Sequence, residues 1–183
     1  MRFPGAAEPE YRTMVVVDVC GAGRDDLART RAENAMERVV RKAFRAADIG
    51  WWRVVVPDRG HGMVVLVPAT VSKADLRDSL IPALFRELRV HNARNPPIRL
   101  RMAVCAGEVR RHRLRWLADD LSAAVRVLEA DVACQDLAVI VSDVVYRAVV
   151  RHGVRAVDYQ PVHRSTTSED VPRPARTASR PGS

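Results

Sequence analysis

The sequence predicts an α+β fold with a ferredoxin-like βαββαβ core and a C-terminal αβαβ extension. An early apolar run precedes a helical pattern, two further apolar runs flank a short turn, and a second helical pattern leads into an alternating strand. Strand, helix, hairpin, helix and strand in this order form a split βαβ arrangement. At 183 residues the chain is long enough for one domain with a real core.

The core elements follow from local patterns. Met14–Val17 form a nearly continuous apolar run, which suits a strand buried on both faces. Ser72 with Asp75 three residues later forms a partial capping box that begins the second helix, and Pro82 is expected to bend that helix. The predicted elements are a strand (13–20), a helix (25–48), a hairpin (52–57 and 62–68), a helix (72–91) and a strand (98–106).

The extension is predicted from weaker patterns with recognisable caps. It comprises a helix (from 119 or 120 to 130), a strand (137–141), a helix (142–152) and a strand (157–162). The first eleven residues contain Pro and Gly and read as an unordered arm. Residues 164–183 are rich in Ser, Thr, Pro and Arg and read as a disordered tail, which leaves a domain over 12–163.

The composition indicates the origin of the net charge and the cellular location. The net charge is +8, and nearly all of it is arginine spread along the whole chain, often beside acidic residues. Abundant Arg and Ala with scarce Lys indicate a high-GC genome, as in actinobacteria, so the charge has a compositional cause and nucleic-acid contact is the minority interpretation. The sequence has no bilayer-spanning run and no signal peptide, which predicts a cytoplasmic protein with reduced, mostly buried cysteines.

Gly60-His61-Gly62 is the most informative motif. It lies in the turn of the predicted hairpin, about forty residues after the strand that ends at Asp18. In a split βαβ unit, strand one lies in the sheet centre and the second hairpin strand runs antiparallel beside it. The end of strand one then meets the start of that hairpin strand. Asp18 and His61 are therefore predicted to be neighbours.

A strand ending in Asp, then a helix and a Gly-x-Gly hairpin, resembles the class III nucleotidyl cyclases, whose hairpin reads Gly-Asp-Gly. The predicted strand around residue 104 is similar to the family pattern Arg-x-Gly-x-His-x-Gly, with Arg101 and Gly107 matching and Cys105 replacing the His. The helix over 121–126 is similar to the family's Val-Asn-x-x-x-Arg. The resemblance covers roughly residues 13–162.

The resemblance implies a site for two divalent cations, Mg²⁺ or Mn²⁺, that neutralise the phosphates of a purine nucleotide and lower the pKa of its attacking hydroxyl. Asp18 takes the first metal-ligand position, and His61 stands where the family has the second carboxylate. A neutral imidazole is a poor Mg²⁺ ligand and suits Zn²⁺ or Mn²⁺ better. A transition-metal trio of Asp18, His61 and Cys20 is a further alternative, without a spacing signature.

The resemblance also implies the nucleotide contacts. Gly60 and Gly62 of the hairpin and Ser122, which replaces the family's Asn, take nucleotide-binding positions. Arg126 keeps the position of the arginine that stabilises the transferring phosphoryl group. The base-selecting positions hold Pro57 and, approximately, Arg115, which reverses the charge. Without the resemblance, Asp18 and Arg126 would be interpreted as a turn cap and a solvated helix residue.

These losses imply a degenerate cyclase homology domain, catalytically impaired, that acts in signalling as a regulatory, nucleotide-sensing or dimerisation module. Family sites form between two subunits, so we expect a homodimer or a complex with a cyclase-like partner subunit. An active cyclase that makes a cyclic nucleotide from ATP or GTP is the first alternative. An RNA-binding ferredoxin-like module is the second, because the segment 59–66 follows the frame of an RNA-recognition strand. Of the positions that stack on bases in such a strand, only His61 has a ring side chain.

Overall fold

The computed structural model describes residues 8–21, 25–57, 62–112, 115–117, 128, 135–150, 159–162 and 175–178. The strands are β1 (Glu10–Val19), β2 (Met63–Pro68), β3 (Leu100–His112), β4 (Arg115–Leu117), β5 (Leu137–Val141), β6 (Tyr159–Val162) and β7 (Ala175–Ala178). The helices are α1 (Asp26–Ala46), α2 (Lys73–Asp75), α3 (Ile81–Asn92) and α4 (Asp143–Val150), with a 3₁₀ turn at Trp51–Arg53 and a π-helical segment at Leu76–Leu80.

One mixed sheet runs through the described residues in the order β2-β1-β3-β5-β7-β6, and β4 pairs with β3. β1 lies between β2 and β3 and is antiparallel to both. β3 and β5 are parallel, whereas β7 is antiparallel to both β5 and β6. The predicted α+β fold, with strand one inside the ferredoxin-like core, is confirmed.

β1 is buried on both faces, as its continuous apolar run predicts. Val15 and Val17 contribute to the larger hydrophobic cluster, together with residues of α1 and α3. Met14 and Val16 point to the opposite face, where a smaller cluster forms because successive side chains alternate along a strand. The smaller cluster consists of Met14, Val16, Val64, Leu66, Ala103, Cys105, Val109 and Leu128.

α1 begins and ends by recognisable caps. Asp25 is its N-cap, and its carboxylate accepts a hydrogen bond from the Leu27 N–H. The helix ends at Ala46, slightly before the predicted boundary at residue 48. Asp48 has a left-handed backbone conformation, with φ of 57°, and the Ile49 N–H bonds back to the Phe44 carbonyl. A left-handed residue just beyond the last turn is a common way to end a helix.

The second helical region contains the predicted capping box of Ser72 and Asp75, and both of its hydrogen bonds are present. Pro82 was expected to bend this helix, and its effect takes the form of the π-helical segment. Proline has no N–H and its ring crowds the carbonyl four residues earlier. The helix widens just before Pro82, where the Ile81 N–H bonds to the Leu76 carbonyl, five residues back.

Two structural assignments predicted from the sequence, a strand and a disordered segment, are wrong. The first hairpin arm, expected as a strand over 52–57, is the 3₁₀ turn Trp51–Arg53 followed by a single bridge between Val55 and Leu66. Pro57 has no N–H for a ladder, which limits pairing of this arm. The 164–183 segment, expected to be disordered throughout, contributes β7, which pairs through its backbone and needs no large apolar side chain.

The N-terminal boundary also differs slightly, because β1 already begins at Glu10, inside the arm predicted over 1–11. The predicted caps of the extension hold where the structure describes them: the Ser142 hydroxyl accepts from the Val145 N–H at the start of α4. No helix in the described parts of the chain is both long enough and apolar enough to cross a bilayer.

Candidate functional site

Asp18 lies at the end of β1, where the strand leaves the buried core. The four residues before it are all buried, whereas Asp18 itself is exposed. Its Oδ1 accepts a hydrogen bond of 2.8 Å from the Val19 N–H. This bond ties one carboxylate oxygen to the backbone. A carboxylate in this position can bind a cation or a hydrogen-bond donor from solvent.

The start of β2 lies beside Asp18, as the topology predicts. Val17 pairs with Met63, so the next residue pair brings Asp18 to the level of Gly62. Gly62 has φ of +66°, and a Cβ atom placed on it would be 3.0 Å from the Val17 carbonyl oxygen and 3.5 Å from Asp18 Oδ1. The backbone of the hairpin therefore approaches the aspartate closely.

The remaining predicted site residues lie outside the described residues. These are Gly60, His61, Ser122 and Arg126. The structure brings Gly62 against Asp18. The predicted proximity of Asp18 and His61 stays a prediction.

Arg101, which matches the family strand pattern, is also a neighbour of Asp18. Across the β1–β3 ladder it is the direct partner of Asp18, on the same sheet face. Its Nη1 donates a 3.0 Å hydrogen bond to the Leu128 carbonyl, and its Nε is buried without a hydrogen-bond partner among the described residues. The guanidinium therefore ties β3 to residue 128, two residues beyond Arg126 in the sequence.

The described residues do not fit a two-cation centre. Asp18 supplies one carboxylate, and Gly62 beside it has no side chain to add a ligand. Within the described residues, no three His, Cys, Asp or Glu side chains come together as a metal-binding group. Mg²⁺ prefers several oxygen ligands in near-octahedral geometry. A single exposed aspartate beside an arginine provides far fewer oxygen ligands than this geometry requires.

The cysteines correct one expectation. Cys20 is disulfide-bonded rather than reduced, and its partner lies outside the described residues. Cys105 is a buried thiol, as expected. Because a disulfide sulfur is not a thiolate, Cys20 is not available for the transition-metal trio with Asp18 and His61. The prediction of reduced cysteines failed at Cys20 because sequence spacing alone does not reveal which cysteines the fold brings together.

The structure also weakens the RNA-binding alternative. In the RNA-recognition frame, Met63 and Leu66 take positions that would have to present flat rings to bases. Met63 is 7% exposed and Leu66 is fully buried. Leu66 belongs to the smaller hydrophobic cluster, which covers the sheet face that such modules leave open. Neither side chain can stack on a base.

Sequence comparison finds no protein-family model and no curated protein that match this chain. Structural comparison finds many matches among cyclase domains. The guanylate cyclase domain of RhGC from Catenaria anguillulae, solved in complex with GTP, superposes with a TM-score of 0.61 at 15% identity, covering 94% of this chain and 98% of that one.

An adenylate/guanylate cyclase/hydrolase from Silicibacter pomeroyi gives a TM-score of 0.60 at 16% identity, covering 94% of this chain and 96% of that chain. A non-canonical dimeric guanylyl cyclase domain of the RhoGC fusion protein from Blastocladiella emersonii gives 0.57 at 14% identity, with 96% of both chains covered. The chain therefore has the fold of class III adenylate/guanylate cyclase domains.

Proposed function

We propose that this chain, which has the fold of class III nucleotidyl cyclase domains, is a degenerate member that acts in signalling as a nucleotide-sensing or dimerisation module with lost or impaired catalysis. One observation carries the proposal. The hairpin residue that lies against Asp18 is Gly62, and the residue in the second carboxylate position is His61. The carboxylate pair that would hold two hard cations is therefore reduced to one member.

The chemistry of cyclisation makes this loss costly. The nucleotide's 3′-oxygen must attack its own α-phosphate, and divalent cations supply the neutralising charge for that step. Asp18 alone gives a cation one carboxylate, while Arg101 on the neighbouring strand adds positive charge on the same sheet face. An imidazole at position 61 does not restore the missing negative charge. We infer that any Mg²⁺-dependent turnover is slow or absent.

Retention of nucleotide is a separate part of the proposal. Gly60 and Gly62 leave room for phosphate oxygens to approach the hairpin backbone, and Ser122 and Arg126 retain polar groups at the nucleotide-binding positions. The structural neighbour from Catenaria anguillulae is described as a GTP complex, which motivates a purine nucleotide as ligand. The dimeric neighbour from Blastocladiella emersonii motivates a homodimer or a cyclase-like partner subunit.

A product assay tests the catalytic part. Purified protein is incubated with ATP or GTP and with Mg²⁺ or Mn²⁺, and mass spectrometry measures cyclic product and retained nucleotide. We expect no cyclic product above a protein-free control. Product that disappears in both Asp18→Ala and Arg126→Ala, but persists in the matched surface variants Asp78→Ala and Arg111→Ala, would establish an active cyclase and refute the proposal.

The same samples distinguish the two modules. Nucleotide that remains bound to folded protein and is lost in Arg126→Ala supports a sensor. Absence of nucleotide, combined with twice the chain mass in light scattering, supports a dimerisation module. A monomer at high concentration that binds no nucleotide contradicts both.

A further inference from the structure

A cavity lies far from Asp18, at the C-terminal end of α1. It has a volume of about 330 Å³ and is lined by Arg41, Arg45, Asp48, Ile49, Gly50 and Trp51. Arg53, in the turn that follows, donates a 3.0 Å hydrogen bond to Thr70 Oγ1, just beyond the end of β2. Gly62 precedes the other end of the same six-residue strand. At about 3.3 Å per residue, roughly 20 Å separate the cavity region from Asp18.

Arg41 is held in place on one wall of this cavity. Its guanidinium carbon lies 4.6 Å from the centre of the Trp51 ring. Glu37 accepts from Arg41 Nε at 2.8 Å and lies 2.7 Å from Nη2. Trp51 is itself fixed by an edge-to-face contact with the buried Phe44, with ring centres 5.4 Å apart. The guanidinium is therefore oriented in advance, and its Nη1 is not used by Glu37.

Arg45 lies one helical turn after Arg41 and lines the same cavity. Its side chain is exposed and makes no hydrogen bond or ion pair with any described residue. The local charge is positive, because residues 37–53 contain five basic and two acidic side chains. The carbonyls at the end of α1 are already bonded, since the Ala47 and Ile49 N–H groups donate to Ala43 and Phe44. The helix terminus therefore repels an anion less than an uncapped one would.

Trp52 adds an aromatic surface at the edge of the cavity. It is 87% exposed, the highest value among the large hydrophobic residues that the structure describes. A Cβ atom on Gly50 would lie 2.6 Å from Trp52 Nε1, so the indole lies over Gly50, which itself lines the cavity. Arg53 lies 5.9 Å from the ring centre. An exposed indole with one guanidinium group near its ring offers stacking and charge together.

We propose that this cavity is a binding site for an organic anion of mononucleotide size that carries a planar ring, such as a nucleoside monophosphate. Arg41 Nη1 and Arg45 would hold the phosphate, as arginine pairs commonly do. The ring would lie against the Trp52 indole, since aromatic side chains stack on every nucleobase. A cavity near the lower end of the usual range of about 300–1,000 Å³ suits a small ligand. This site does not depend on the proposed function of the Asp18 site.

The test measures binding of AMP and GMP to the full chain by calorimetry, with tryptophan fluorescence as a second readout. Inorganic phosphate and adenosine serve as half-ligand probes. We expect saturable binding of at least one monophosphate, tighter than either half-ligand alone. Arg45→Gln and Trp52→Ala are each expected to weaken it about tenfold, the loss typical of one charge-assisted or stacking contact.

Arg38→Gln is the matched control, because Arg38 is an exposed arginine of α1 that does not line the cavity. It should leave the affinity within about twofold. Equal losses in Arg38→Gln and Arg45→Gln would mean unspecific attraction to a basic surface and would overturn the proposal. So would the absence of saturable binding, or binding abolished by Asp18→Ala, which would locate the nucleotide at the other site. Thermal unfolding of each variant confirms that it folds.

Discussion

Gly62 lies directly against Asp18: a Cβ atom at position 62 would be 3.5 Å from Asp18 Oδ1 and 3.0 Å from the Val17 carbonyl oxygen. The hairpin therefore approaches the end of β1 by its backbone alone. Two requirements meet at this residue, a left-handed φ of +66° and an absence of side-chain volume.

Gly62→Ala tests this approach. We expect it to lower the free energy of unfolding by about 2–3 kcal/mol, because a positive φ costs an L-residue about 1–2 kcal/mol and the added Cβ must push the Val17 carbonyl away. Urea denaturation measures the loss. Gly21→Ala is the matched control, since Gly21 has φ of +65° but nothing within 4 Å of its Cβ position. Equal losses in the two variants would show that the approach to Asp18 is not tight.

Restoring the second carboxylate should restore metal affinity. In His61→Asp we expect Mn²⁺ to bind more tightly, because a carboxylate about 4 Å from a divalent ion contributes about 2 kcal/mol in a water-like dielectric, or roughly thirtyfold. Electron paramagnetic resonance of Mn²⁺ measures the free ion. The gain should vanish in the double variant Asp18→Ala/His61→Asp. A gain that persists there would place the new ligand away from Asp18.

The capping box at Ser72 should contribute measurably to stability. Ser72→Ala removes the hydroxyl that accepts from the Asp75 N–H, at a cost of about 1 kcal/mol. Ser79→Ala is the comparison, because Ser79 is exposed in the π-helical segment and caps nothing. Thermal or urea unfolding of both variants should separate them. If Ser79→Ala lowers the free energy of unfolding as much as Ser72→Ala does, the capping hydrogen bond makes no specific contribution to stability.

The strand β7 predicts an effect of truncation. Removing residues 175–183 takes away a strand that pairs with both β5 and β6. We expect the free energy of unfolding to fall by roughly 2–4 kcal/mol, from about 1 kcal/mol per lost backbone hydrogen bond. Removing only residues 179–183 leaves β7 intact and should change little. An unchanged melting temperature in the longer truncation would show that β7 does not stabilise the fold.

The disulfide at Cys20 gives a redox prediction. Reduction is expected to destabilise the protein by about 2–4 kcal/mol, the usual contribution of a disulfide. Urea denaturation with and without reductant measures it. Cys20→Ser should show the lower stability under both conditions, with no further effect of reductant. If reductant shifts the wild-type and Cys20→Ser curves equally, the bond does not form in solution.

The sequence predicted the centre of the sheet well because that part depends on dense local signals. Met14–Val17 are apolar without interruption, and a strand with this pattern is typical of the middle of a sheet, where both faces are buried. The pairing of the end of β1 with the start of β2 then followed from connectivity. The capping box at Ser72 was equally accessible, since its hydrogen bonds span only three residues.

Long-range and backbone-only features could not be predicted in this way. Ala175–Ala178 have no apolar alternation, so their strand is defined by pairing with β5 and not by their own side chains. The hydrogen bond from Arg101 to the Leu128 carbonyl joins residues 27 positions apart, and Arg101 was singled out only as a match to a family pattern. The disulfide of Cys20 likewise depends on where the fold brings a second sulfur.

The strand that carries Asp18 near its end, β1, lies inside the sheet between β2 and β3. Its residues 14–17 are enclosed by hydrogen-bonded neighbours on both sides and by hydrophobic clusters above and below. A shift of β1 by one residue of register would move each of its side chains to the opposite face of the sheet and so disrupt both clusters. The chemistry at this position can therefore be altered by exchanging neighbouring side chains, but hardly by moving Asp18 itself.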